Sequence, residues 1–242
     1  MVWRQLTLEK QHIYLESSPL LDYTHPAIQQ LIKVKGWDTI KSKKTLIGEV
    51  YAFVRDEIAY GYTKSFSLPA SQILEKGYGN GLTKSTLLMA LLRAVGVPCR
   101  FHAMTIRKII FRGLLPNFNY MLVIKHPYHA LLEVLYNDKW LEMEGHIVDR
   151  PYLQKLQEKF PNYMGSFYGY GMAVLNFRSP ENRWNGSATY VQHKAIEEDR
   201  GIFDTPDAFF SHYPDAEAYT QSFRYRAFTR GQLNRSIKAV RA

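Results

Sequence analysis

Residues 77–101, GYGNGLTKSTLLMALLRAVGVPCRF, leave the chain little choice of fold. Three glycines within five residues, Gly77, Gly79 and Gly81, mark a loop with backbone angles that other residues avoid. Directly after them Leu82, Leu87, Leu88, Leu91 and Leu92 predict a buried helix, closed by Gly96 and Pro98. From Cys99 onward the helical period gives way to alternation. Strands are expected over 100–110, 120–124, 130–136 and 139–143, the last two joined by a tight turn at Asn137 and Asp138. A buried helix followed by such strands predicts an α+β domain, its central helix packed on an antiparallel sheet.

The flanks read more coarsely. Residues 1–25 are expected to approach the first helix irregularly. Pro26 suits a first helical position, where its missing N–H would be unpaired anyway. Residues 27–34 then form a short amphipathic helix ended by Gly36. A second helix is expected over 43–56, with Leu46, Ile47, Val50, Phe53 and Val54 on one face, followed by an extended aromatic stretch over 60–66. Beyond Arg150, residues 151–160 read as helix and 216–241 as one basic helix. Between them, 161–214 reads as a long Gly-, Asn-, Tyr- and Pro-rich loop of the kind that forms functional walls or lids. The expected organisation is a single domain over 1–242: a core at 43–150 and a loop-rich extension at 151–242 ending in the basic helix.

The formal charge of +9 invites an anionic partner. The basic residues fall in short clusters at 41–44, 107–112 and 224–241, which suits a solvated surface better than a nucleic-acid footprint. An anionic small substrate or an acidic carrier stays open. The single cysteine, Cys99, excludes an internal disulfide framework and a thiolate zinc cluster, and fits a reducing, cytoplasmic setting. No run of eighteen apolar residues occurs, so no membrane span is expected. Residues 1–16 lack the apolar region of a signal peptide. No metal or cofactor motif is present, and none is expected to be bound.

Three motifs, in order, carry a resemblance. They are Ala90-Leu91-Leu92-Arg93-Ala94-Val95-Gly96-Val97-Pro98-Cys99-Arg100, His129-Ala130-Leu131-Leu132-Glu133-Val134, and Trp140-Leu141-Glu142-Met143-Glu144. Together they resemble the transglutaminase-like superfamily, with its papain-like core, over roughly residues 45–150. The resemblance implies a nucleophilic cysteine opening the central helix, a histidine starting a strand, and an acidic residue orienting the imidazole. Gly81 stands at the cysteine's place. A thiol there would be shifted toward thiolate by the helix N-terminus and the histidine, and would attack a carbonyl. Glycine allows no acyl-enzyme, and Cys99, eighteen residues on, is beyond the far end of the helix.

By the same resemblance His129 and Glu144 occupy the second and third catalytic positions. Glu144 is one methylene longer than the family's commoner Asp. His126 is a weaker candidate, and Glu133 reads as a structural ion-pair partner. Asn80, Leu82 and Thr83 head the helix with Gly81, and their N–H groups form an anion or carbonyl site. Lys84, a cation in the first turn, is expected either in solvent or on an anionic ligand. Loss of the cysteine side chain is expected to leave a small space before His129. Tyr168 and Tyr170, with Phe167, Trp184 and Tyr190, either line a cleft over the site as substrate-binding residues or form a second small core.

Three functions stay open on these residues. The favoured one is a thiol-independent enzyme, of hydrolase or lyase type, using His129 and Glu144 as general acid/base on a small carbonyl or acyl substrate, in a biosynthetic pathway. The others are a pseudoenzyme that binds a peptide or acyl ligand, and a Cys-to-Gly inactivated form of a thiol-dependent amidase, peptidase or acyltransferase.

Overall fold

The computed structural model describes residues 12–242. The reading of residues 1–16 as lacking a signal peptide therefore lies, for residues 1–11, outside the described residues. Two helices come first, α1 (Pro26–Lys35) and α2 (Lys43–Asp56). Pro26 opens α1 and Gly36 closes it at φ +66°, a left-handed angle that glycine adopts without a Cβ clash. Ser42 caps α2, its side chain accepting from Thr45 N–H. After β1 (Ala59–Tyr60), α3 (Ala70–Lys76) and β2 (Tyr78–Gly79) comes the central helix α4 (Gly81–Ala94), buried along its whole length up to Arg93. The expected extended stretch at 60–66 shrinks to the short parallel pairing of β1 with β2.

Helix α4 packs on an antiparallel sheet built from β3 (Cys99–Ile106), β4 (Tyr128–Tyr136), β5 (Lys139–Met143) and β8 (Ile196–Phe203), in the order β5-β4-β3-β8. The fold is α+β, as expected. Asn137 and Asp138, at φ 49° and 59°, make the turn between β4 and β5. Two left-handed residues in succession match the strands' right-handed twist. That turn fixes a register pairing Leu132 with Met143. Extended by one residue, the register sets Glu144 level with Leu131, two positions from His129 and therefore on the same face.

The structure corrects several expectations. Residues 120–124 are not a strand: Pro116 precedes a short helix, α5 (Asn117–Leu122). The place beside β3 is taken by β8, whose sequence IEEDRGIF is too charged to announce a strand. It lies at the sheet edge, where such charges remain solvated. The supposed loop 161–214 also holds the β6 (Phe167–Gly169) and β7 (Met172–Val174) hairpin and α7 (Pro206–His212). Helix α6 (Arg150–Lys159) forms as read.

The single basic helix at 216–241 is broken. Helix α8 (Pro214–Gln221) ends where Ser222 turns extended, and a π turn (Tyr225–Thr229) leads into α9 (Arg230–Arg241). Leu233, Ile237 and Val240, on one face of α9, are buried. Phe223 and Phe228 are left 74% and 47% exposed, because the break takes them off the apolar face.

Candidate active site

The first turn of α4 is fixed by its own side chains. Asn80 Oδ1 accepts from Thr83 N–H at 3.2 Å, and Asn80 N–H donates to Thr83 Oγ1 at 2.9 Å. This reciprocal cap satisfies two donors at the helix start. Among the described residues, the N–H groups of Gly81 and Leu82 have no partner. Both residues line the cavity described below, and free N–H groups at a helix start suit a carbonyl oxygen or an oxyanion.

His129, near the start of β4, and Glu144, just past β5, are both buried. His129 Nε2 lies 2.8 Å from Glu144 Oε1. Glu144 Oε2 accepts from the backbone N–H groups of Val191 and Gln192 at 2.9 and 2.8 Å. Burial pushes the Glu144 carboxyl upward, but the His129 hydrogen bond and charge and these two N–H donors outweigh it, and the carboxyl titrates below its ordinary range. An ionised Glu144 accepts from His129 Nε2–H, which in the neutral imidazole places the lone pair on Nδ1, the ring nitrogen nearest Gly81. The longer acidic side chain therefore reaches the imidazole without loss of contact.

A Cβ built on Gly81 would stand 2.8 Å from His129 Nδ1 and 3.1 Å from Cε1. The side-chain-sized space expected between Gly81 and His129 is thus absent. The imidazole rests against the helix backbone, filling the room that a cysteine side chain would take.

In front of these groups lies a cavity of about 40 Å³, lined by Asn80, Gly81, Leu82 and His129 at its polar end. Its aromatic wall comes from Tyr62, Phe66, Phe111, Tyr128, Tyr219 and Tyr225. Sequence reasoning placed Tyr168 and Tyr170 there, and the structure puts them elsewhere. Tyr170 N–H donates to Arg112 O at 2.8 Å and its ring packs on Phe160, while Tyr168 stacks near Arg107. Phe167 stacks on Phe177 at 4.1 Å, in a small core that includes Phe160 and Tyr163. Trp184 donates to Lys44 O and Tyr190 to Glu142, away from the cavity. Of the two readings of that aromatic cluster, the second core describes Phe167.

Lys84 is neither in solvent nor on a ligand. Its side chain is fully buried, and Nζ donates to the carbonyls of Ile58 at 2.6 Å and Arg55 at 3.1 Å. Burial lowers its pKa to about 7, with Arg241 and Arg55 adding to the fall and Asp149 and Asp56 opposing it. Thr83 is likewise buried and committed to the cap. One turn on, Ser85 Oγ donates to Ala130 O at 3.1 Å and lies 3.2 Å from His146 Nε2. His146 is buried and held neutral by burial, then by the neighbouring charges of Lys84 and His129, and it does not line the cavity.

The remaining candidates have structural places. Cys99 is buried, its thiol pushed up to about 11 by burial, so it offers no thiolate. His126 pairs with Glu197 at the surface at 2.7 Å. Glu133 pairs with Arg100 at 2.5 Å and His102 at 3.0 Å. His102, Glu133 and Glu142 bring ligand atoms within 4.8 Å of one another, but the Arg100 guanidinium already occupies Glu133. That arrangement reads as an ion-pair network, since a cation there would have to displace Arg100.

Three wall residues carried no signal in the sequence. Gln192 sits in a loop, its Nε2 donating to Gly171 O at 2.6 Å. Tyr62 is held by Asn234 of α9, which accepts from its N–H at 2.8 Å and donates to its carbonyl at 2.9 Å, and its hydroxyl meets that of Tyr60 at 2.8 Å. Thr229 enters from the π turn, a backbone form common at functional sites. Its Oγ1 is buried with no hydrogen-bond partner among the described residues, the Tyr219 hydroxyl lying nearby.

Residues 35–145 match the family model described as the transglutaminase-like superfamily. A crystal structure of a provisionally assigned cysteine protease from Cytophaga hutchinsonii is similar, with 17% identity and a TM-score of 0.42. The similarity covers 57% of this chain and 43% of that one, so the chain spans less than half the length of that protein. No curated protein sequence matches significantly. Among the described residues, no helix is long and apolar enough to cross a membrane.

Proposed function

We propose, for a chain whose residues 35–145 belong to the transglutaminase-like superfamily, a thiol-independent enzyme that works on a small carbonyl or acyl substrate. His129 is its general acid/base, Glu144 orients and charges the imidazole, and the Gly81 and Leu82 N–H groups receive the substrate oxygen. The observation that carries this reading is the buried 2.8 Å contact of His129 Nε2 with a Glu144 whose other oxygen is held by two backbone N–H groups. A carboxylate so fixed accepts from Nε2–H, so that in the neutral imidazole the lone pair lies on Nδ1, the atom a general base uses.

In this reading Nδ1 removes a proton from water or from the substrate beside its carbonyl. The charge developing on the carbonyl oxygen is stabilised at the helix N-terminus. The imidazolium, paired with Glu144, then returns the proton to the leaving group or product. Hydrolysis, elimination, aldol-type cleavage and ring closure all fit this sequence of transfers, in a biosynthetic role in a reducing cytoplasmic setting. The core at 43–150 and the extension at 151–242 would act as one domain, the extension supplying Tyr219, Tyr225 and Leu233 to the cavity. A small-molecule substrate, and no nucleic acid, completes the proposal.

The test is untargeted mass spectrometry of a metabolite extract incubated with wild type and with folded His129→Ala. A compound consumed or produced by wild type alone supports the reading and identifies the substrate. Turnover unchanged in His129→Ala removes His129 from the mechanism. Ligands that co-purify with both proteins, without turnover, move the assignment to a binding protein.

A further inference from the structure

Among the described residues, the cavity before His129 is lined by no Lys, Arg, Asp or Glu. Phe66, Ile106, Ile110, Phe111, Ile124 and Leu233 are among its apolar walls. Burial pushes the phenols of Tyr62, Tyr128, Tyr219 and Tyr225 above their ordinary value, so they are uncharged at neutral pH. The chain's excess of positive charge lies outside. Tyr225 and Thr229 face the cavity, whereas Arg226 and Arg230, on the same segment, line an outer groove with Lys64.

The nearest buried charges also disfavour an anion. Lys84 Nζ is turned away onto the Arg55 and Ile58 carbonyls. The ionised carboxylate of Glu144 stands directly behind His129. A carboxylate or phosphate entering here would give up its hydration and meet no Lys or Arg among the described lining residues, only His129 and the helix N-terminus, a costly exchange. The unpaired N–H groups of Gly81 and Leu82 nevertheless require an acceptor, and a neutral carbonyl oxygen supplies one without that cost. The free space is small as well: about 40 Å³, so a ligand part larger than roughly three water molecules must displace wall side chains. A thin linear group enters it with less wall movement than a ring or a folded peptide.

We infer that the site takes an uncharged acyl compound, its carbonyl at the Gly81 and Leu82 N–H groups and a linear apolar chain along the Ile106, Ile110 and Leu233 walls. This rests on the acyl-site reading above and narrows its substrate to neutral, chain-bearing carbonyl compounds. The anionic small substrate suggested by the overall charge is replaced by a neutral one.

Calorimetric titration of the wild-type protein with butanamide, hexanamide, octanamide and octanoate tests the inference at pH 7.5. Affinity is expected to rise about fourfold per added methylene, the increment of a buried CH₂. Octanoate is expected to bind at least about tenfold more weakly than octanamide. Ile110→Trp, which fills the cavity, should weaken octanamide more than butanamide. Absence of amide binding, affinity independent of chain length, or octanoate equal to octanamide overturns the inference from the wild-type data alone. Chain-dependent binding with no turnover in the extract experiment would defeat the acid/base reading and leave this one standing. Turnover of short polar compounds with flat amide affinities would do the reverse.

Discussion

Gly81→Cys is the substitution that most directly probes the site. The new Cβ would lie 2.8 Å from His129 Nδ1, closer than van der Waals contact, so the imidazole must withdraw by several tenths of an ångström. Overpacking of this kind costs about 1–3 kcal/mol. The ring cannot leave Glu144 cheaply, because the carboxylate is buried and fixed on its other side. The introduced thiol therefore settles against Nδ1 at a helix N-terminus, where both the dipole and a forming imidazolium favour thiolate. An ordinary thiol with a pKa near 8.5 is only about 3% ionised at pH 7, and a two-unit fall raises that to about 75%. Since nucleophilicity drops along with pKa, the alkylation rate at one pH gains only about threefold. The informative assay is the full pH profile of iodoacetamide labelling, followed by intact mass. Its midpoint is expected near or below pH 7 in Gly81→Cys, and back near 8.5 in Gly81→Cys with His129→Gln. A thiol that labels readily with a midpoint of 8.5 or higher in the single variant would refute the placement of Gly81 at a nucleophile position.

Other consequences follow from the same buried groups. Lys84 titrates near 7 in the fold against about 10.4 in the unfolded chain. The unfolded state then binds more protons between those values, so this group makes stability rise with pH from about 7 to 10. Lys84→Met is expected to flatten that rise in denaturant melts, and an unchanged pH slope would show that burial does not lower the Lys84 pKa. Thr229→Val removes a buried, unpartnered hydroxyl and keeps the side chain's shape. It should stabilise the fold by about 1 kcal/mol, raising Tm by about 2–4 °C, whereas a lower Tm would mean the hydroxyl has a partner. Glu144→Gln keeps the carbonyl that accepts from Val191 and Gln192 but loses the charge beside His129. It should lower turnover by about 10²–10⁴-fold. Because the Glu144 carboxyl is depressed in the fold, its stabilisation is present above the unfolded carboxylate pKa and lost as pH falls through the folded one. The variant should therefore lose part of the wild type's acid-limb decline, and an identical acid limb would contradict an ionised Glu144.

The features legible in the sequence are those encoded locally. Leucine spacing and the flanking glycines define α4, and the left-handed pair Asn137 and Asp138 defines the turn that brings Glu144 beside His129. What escaped depends on distant chain. Strand β8 hides behind its charges, because an edge strand needs no apolar alternation. The break at Ser222 moves the chain from helix into a wall of the cavity, and no proline or glycine marks it. Tyr168 and Tyr170 looked like cleft residues because they sit in a long aromatic loop. Their segment instead closes on Phe160 and Phe177, which the local pattern could not foretell.

Lys84 shows why local electrostatics misled. A cation in the first turn opposes the helix dipole, which argues for exposure when the helix is taken alone. In the fold, the carbonyls of Arg55 and Ile58 come beneath that turn and accept from Nζ. Asp149 adds negative charge nearby but accepts no hydrogen bond from Nζ, its oxygens accepting instead from Arg241 and from Tyr60 N–H. The buried ammonium thus ties the end of α2 to the start of α4, the same turn that presents the Gly81 and Leu82 N–H groups. The floor of the candidate site is held by a side chain that does not touch the cavity. This separates two kinds of damage: changes at Lys84 should register first in stability and only then in ligand affinity, whereas changes at Ile110 should register in affinity with the fold intact.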